Sequence, residues 1–144
     1  LAIAESATGG RLSDAITNVS GSSEYFLGGV VAYDNRVKTQ LLGVPEETLK
    51  KFGAVSPQTA EAMAAGVKVL LRAHIGVSTT GIAGPTGATP EKPVGLVYIG
   101  ISSKQGTHSH RFLSQGSREE NKAAFTQAAL TLLLGEVEAW LNEG

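Results

Sequence analysis

The 144-residue chain contains no cysteine. That excludes disulfides, thiolate nucleophiles and sulfur-ligated zinc. It also lacks a basic stripe: 12 Lys and Arg stand against 13 Asp and Glu, for a net charge of −1, so nucleic acid is not an expected partner. No apolar run approaches the ~20 residues a membrane span needs, and no membrane contact is expected. Histidines number three. His74 stands at a helix-to-strand junction, while His108 and His110 alternate on one face of an outer hairpin. Two histidines at i, i+2 are able to grip a metal, but no carboxylate lies nearby in sequence to complete a set, so a solvated strand face is expected. Nothing resembles a signal peptide, which points to the cytoplasm. The chain opens on Leu1 inside what reads as a strand, and a longer parent sequence is expected.

What the chain has in excess is glycine, 18 of 144 residues against a usual share of ~7%. Most of the excess sits at predicted connections: Gly9, Gly10, Gly21, Gly28, Gly29, Gly81, Gly84 and Gly87. With 42% apolar residues and a mean hydropathy of +0.04, the chain reads as one globular domain, 1–144, large enough to bury a core without staples.

Two glycine-bearing loops carry the functional signal. Residues 79–95 (TTGIAGPTGATPEKPVG) join two β-branched apolar runs. Ordering such a loop is entropically unfavourable, and loops of this kind serve to bring backbone N–H groups to a ligand. The second loop is Ala4–Gly10 (AESATGG), followed by the helical pattern Leu12, Ala15, Ile16, Val19. Strand, small polar loop and helix present free N–H groups and the positive helix end to an anion. Neither a P-loop lysine nor a dinucleotide fingerprint is present. Two such loops at strand ends favour a phosphate-bearing ligand.

Periodicity predicts strands at 1–5, 28–33, 75–80, 94–102 and 107–113. It predicts helices at 9–18, 36–42, 46–51, from Ser56-Pro57 to about Ala73, and from the Ser117/Glu120 capping box to about Leu141. Early alternation followed by a terminal hairpin gives a three-layer α/β/α sandwich with a mixed, mostly parallel sheet. The last helix carries a wide apolar stripe, which fits a well-buried helix or a subunit contact.

For amide hydrolysis a nucleophile, a base and oxyanion donors are required. Tyr33 and Lys38 follow the second predicted strand, where ligands of α/β sheets bind. Gly21-Ser22-Ser23 offers hydroxyls just upstream. A Ser–Lys pair attacks an amide if burial lowers the lysine pKa from ~10.4 towards ~7–8. Burial at the strand end, with Arg36 close in sequence, is the expected cause, and Asp34 must point elsewhere. Arg118 opens the last helix against its macrodipole, which suits a fork on phosphate oxygens.

These stretches together resemble the C-terminal domain of the competence/damage-inducible protein CinA family, whose stand-alone members are nicotinamide-mononucleotide amidohydrolases. The resemblance rests on Ala4–Gly10, Gly21–Asn35 with Lys38, Gly43–Ser56 and Thr80–Gly95; Gly116–Glu119 matches more loosely. It implies an α/β/α domain that hydrolyses the nucleotide's carboxamide to nicotinate mononucleotide and ammonia, with no metal or other cofactor. It puts the catalytic serine, lysine and assisting tyrosine on Ser23, Lys38 and Tyr33. It puts pocket-lining polar positions on Ser6, Thr8 and Thr80, and the phosphate-side arginine on Arg118; the two loops add expected substrate contacts at Gly9, Gly10, Gly81 and Gly84. A homo-oligomer acting on a small nucleotide is expected. The rival expectation is a non-catalytic nucleotide-binding module of a larger protein. Position 7, often Cys in the family, is Ala7 here; Ser117 replaces the usual Asp, and a further basic position falls on Lys122.

Overall fold

A computed structural model describes residues 1–143; Gly144, the last residue of the expected domain, lies outside the described residues. Five strands form one sheet: β1 (Ala2–Glu5), β2 (Gly28–Val31), β3 (Gly76–Gly81), β4 (Leu96–Ser103) and β5 (Gly106–Leu113). Their order is β2-β1-β3-β4-β5. β1 pairs in parallel with both β2 and β3, whereas β3–β4 and β4–β5 are antiparallel. The sheet is therefore mixed as expected: β1, β2, β3 and β5 share one direction and β4 alone runs against them. The reason is the long 82–95 loop, which returns the chain beside β3 instead of crossing over a helix.

Five helices flank the sheet: α1 (Arg11–Thr17), α2 (Asn35–Gln40), α3 (Glu46–Phe52), α4 (Pro57–Leu70) and α5 (Arg118–Glu143). α1 and α5 cover one face, closing a core of Ile3, Leu12, Val77, Ile99, Ile101 and Phe125. α2, α3 and α4 cover the other, where Ala2 and Ala4 meet Leu42, Val44, Met63 and Val67. Small residues set the second spacing. A Cβ at Gly76 or Gly100 would stand 2.2 Å from the carbonyl oxygen of Ala64 or Ala60, so α4 lies almost on the backbone of the sheet.

At one edge of the sheet β1, β2 and β3 end, β4 begins, and α5 starts. The connections 6–10, 32–35, 82–95 and 114–117 therefore share that edge. The opposite edge holds Leu1, the 3-10 turn Ser22–Glu24, residues 71–75 and the far end of α5.

Candidate active site

β1 alternates its side chains between the two faces, and that alternation splits the polar groups of its exit. Glu5 turns towards α1 and Ser6 towards α2. The Glu5 carboxylate, fully buried, accepts from Leu12 N at 2.8 Å, from Ser13 N at 2.9 Å and from the Thr8 hydroxyl. Thr8 Oγ1 also lies 2.8 Å from Thr79 Oγ1. This overturns one expectation. The amides at the start of α1 are not free for an external anion, because a carboxylate of the same chain occupies them. A charged residue inside an apolar strand was the available signal.

On the other face the pair that forms is Ser6 with Lys38. Lys38 has 1% of its surface exposed, and its Nζ donates to Ser6 Oγ at 3.2 Å and to Tyr33 O at 3.0 Å. Asp34 caps α2 by accepting from Arg36 N at 2.8 Å, which aims Lys38, one turn later, back at the β1 exit. Burial lowers the lysine pKa from its ordinary 10.5, while the Asp34 charge opposes part of that shift. Arg36 is not among its causes. Asp34 does point elsewhere, as expected, but its field still reaches the ammonium.

Ser23 does not join this group. It is exposed and lies in the turn beside Leu1, whose amino group donates to Tyr25 O at 2.7 Å and whose carbonyl accepts from Leu27 N. Lys38 sits at the other end of β1, five residue steps away, or roughly 16 Å at the rise of a strand. The expected Ser23–Lys38 contact is therefore absent within one chain. α1 is the physical reason: it carries the chain from the exit edge of the sheet back to the entry edge before Ser23 is reached.

The remaining expected residues divide. Tyr33 is exposed at the β2 exit, and its hydroxyl lies 3.4 Å from Arg118 Nη2. Arg118 Nη1 donates to Gly84 O at 2.7 Å, fixing the 82–85 loop against α5. Gly9, Gly10 and Gly84 all adopt positive φ (63°, 106° and 86°), which explains glycine there. Gly81 ends β3 against the backbone of Leu96 and Val97. Thr80 donates to Ala54 O at 2.7 Å, and Thr8 is held by Glu5, so both hydroxyls serve the scaffold first. Asn121, not foreseen, is fully buried and donates from Nδ2 to Ala83 O and Gly116 O.

The histidine hairpin keeps its expected solvated face, with His110 exposed and the His108 side chain 42% exposed, but the two rings also have partners. His108 Nδ1 lies 3.0 Å from His110 Nε2, and His108 Nε2 lies 3.4 Å from Glu136 Oε2 on α5. A carboxylate distant in sequence thus comes to the pair. Among the described residues, no group of three or more His, Cys, Asp or Glu is placed to hold a metal.

A sequence model of the CinA C-terminal domain matches residues 1–137. A CinA-like protein of Desulfotalea psychrophila is 50% identical over 133 residues, 92% of this chain and 32% of that protein. A CinA-like protein of Nostoc punctiforme is 61% identical over 102 residues, 71% of this chain and 24% of that protein. The chain spans about a third of the length of the first of the curated relatives it matches. The crystal structure of the competence/damage inducible protein CihA from Agrobacterium tumefaciens superposes with a TM-score of 0.90 at 43% identity, covering 93% of this chain and 82% of that one. Competence damage-inducible protein A (ComA) from Klebsiella pneumoniae superposes at 0.92 with 30% identity, covering 96% and 86%.

Proposed function

Because the chain belongs to the CinA C-terminal domain family, we propose that its site hydrolyses the carboxamide of nicotinamide mononucleotide, releasing ammonia and nicotinate mononucleotide. The observation that carries this reading is the buried Lys38 ammonium within hydrogen-bond reach of a strand-end hydroxyl, Ser6 Oγ. In its neutral form Lys38 takes the Ser6 proton as Oγ attacks the amide carbon. The resulting ammonium returns a proton to the leaving nitrogen, and ammonia departs. Water then attacks the acyl-serine by the same route in reverse. The second hydrogen bond of Lys38, to Tyr33 O, keeps Nζ aimed at the hydroxyl. The amides of Ala7 and Thr8 follow the nucleophile in sequence and have no hydrogen-bond partner among the described residues. They are the nearest donors for the developing oxyanion.

A second reading keeps Ser23 as the nucleophile, supplied by another copy of the chain. It is favoured by the exposure of Ser23 and by the open edge strand β2, which runs between the two ends of the sheet and leaves Leu27, Val31 and Tyr33 exposed. Complementation separates the two readings. Under the second reading Ser23→Ala and Lys38→Met are each inactive alone and their mixture regains ammonia release; under the first, Ser23→Ala is active by itself and mixing adds nothing to it. The first test is simpler: ammonia release from nicotinamide mononucleotide, with binding measured in parallel. Tight binding with no ammonia supports a nucleotide-binding module instead.

A further inference from the structure

β5 is an edge strand of the sheet, and it sets His108 and His110 two residues apart on the face that α5 covers. His108 Nδ1 faces His110 Nε2 at 3.0 Å, with the two rings nearly perpendicular at 87°. The other nitrogen of His108, Nε2, lies 3.4 Å from Glu136 Oε2 on α5. That carboxylate is buried and held at its second oxygen as well. Ser103 donates its hydroxyl to Glu136 Oε1 and in turn accepts from Gln105 N at 3.1 Å. An ionised carboxylate only accepts. The proton of neutral His108 therefore sits on Nε2, and its lone pair is left on Nδ1, towards His110.

A histidine that ligates a metal commonly passes its spare N–H to a carboxylate, which fixes both its tautomer and its ring. The spacing of the pair selects the ion. A metal about 2.0–2.1 Å from each of two nitrogens 3.0 Å apart binds them at roughly 95°. A tetrahedral ion needs them about 3.3–3.4 Å apart, whereas a square or tetragonal one takes them as they stand. We propose that His108 and His110 form a two-histidine site for a tetragonal divalent ion, Cu2+ or Ni2+, with Glu136 bracing His108 from α5. Binding replaces only the contact between the rings. Neutral His110 moves its proton from Nε2 to Nδ1, and the two facing lone pairs then go to the ion. Glu136 stays outside the coordination sphere, because it holds the nitrogen of His108 that is turned away from the ion. Water fills the remaining positions, since His110 is exposed. The site stands three strand spacings from β1, or roughly 14 Å, so it is separate from the Ser6–Lys38 pair and independent of the hydrolase reading.

The test titrates the whole chain with Cu2+, Ni2+ and Zn2+ by calorimetry, and reads the ligands of bound copper by electron paramagnetic resonance. The wild type is expected to take one Cu2+ per chain with two nitrogen ligands, and to hold it more tightly than Zn2+. His110→Gln, an exposed substitution that leaves the fold intact, and His108→Gln should each abolish the two-nitrogen spectrum. Glu136→Gln should keep that spectrum and weaken Cu2+ about tenfold to a hundredfold, the usual loss on removing an outer carboxylate. His74→Gln, whose ring packs on Trp140 instead, should leave the affinity unchanged. A two-nitrogen copper signal that persists in His110→Gln overturns the site. So does an affinity that Glu136→Gln leaves unaltered, because the pair is then a surface pair that α5 does not brace. Zn2+ held more tightly than both Cu2+ and Ni2+ overturns the tetragonal geometry.

Discussion

The two edges of the sheet are built from opposite materials. At the exit edge of β1 lie Ser6, Lys38, Glu5, Thr8 and Thr79, all buried and all polar, each satisfied by a partner from a different element. At the entry edge a groove is lined largely by Leu1, Ile16, Leu27, Leu133, Leu134 and Trp140. That groove has a volume of about 820 Å³. Volume alone would place a ligand there, away from the proposed Ser6–Lys38 site. Buried polar groups are the better guide. Each one is unfavourable to remove from water, so a cluster of them persists only where its own network or a function sustains it.

The largest expected effect comes from Lys38. Lys38→Met should abolish ammonia release, by about a thousandfold or more, within the range of lost general-base catalysis combined with lost positioning. Lys38→Arg should also be inactive, because a guanidinium does not deprotonate in a protein. The pH dependence follows from the lowered lysine pKa. Activity rises with pH along a limb below the ordinary value of 10.5. Stability carries the same signature. Between the lowered folded pKa and the ordinary one, the unfolded chain holds the proton and the folded chain does not, so unfolding becomes harder as pH rises. Below the folded pKa that gain is gone. Thermal melts over this window should show the rise in wild type and lose that component in Lys38→Met. An active Lys38→Arg enzyme, or a pH limb that persists without Lys38, rejects the general-base role.

Ser6 and Ser23 sharpen the contrast between the edges. Ser6→Ala should cost about two to four orders of magnitude in kcat, on the scale of losing an activated nucleophile, with nucleotide binding retained. Ser23→Ala should remain close to wild type. The reverse ranking, coupled with recovery in the mixed Ser23→Ala and Lys38→Met sample, assigns the nucleophile to a second copy. Calorimetric titration with nucleotide checks that neither variant has merely lost its substrate.

Smaller effects test the scaffold. Glu5→Gln keeps the size of the side chain but weakens a carboxylate that serves two α1 amides and Thr8. About 1–3 kcal/mol of stability should be lost, the usual range for hydrogen bonds to a charged group, measured by denaturant unfolding. The smallest change is expected at the apolar edge. Leu134 is 59% exposed, so Leu134→Gln should shift stability by no more than about 0.5 kcal/mol in a single chain. A larger loss that grows with protein concentration would mean that another copy covers the groove.

Much of this architecture was legible in the residues themselves. Alternation of β-branched runs, the Ser56-Pro57 cap and the Ser117/Glu120 box marked the elements to within a few positions, because these signals act over neighbours along the chain. The same locality explains why Tyr33, Lys38 and Arg118 stood out: each sits beside a strand end or helix start visible in the sequence. What lay beyond reach was everything decided by the return of a distant segment. The antiparallel placement of β4 depends on how the 82–95 loop folds back. The pairing of Lys38 with Ser6 instead of Ser23 depends on α1 carrying the chain to the opposite edge. The occupation of the α1 amides depends on which face Glu5 takes, and the meeting of Glu136 with His108 on how α5 crosses the sheet. Local sequence sets backbone propensity and the period of the apolar pattern. Which polar groups meet is set by the packing of both faces at once, where burial leaves each charge only the partners that the assembled layers bring within reach.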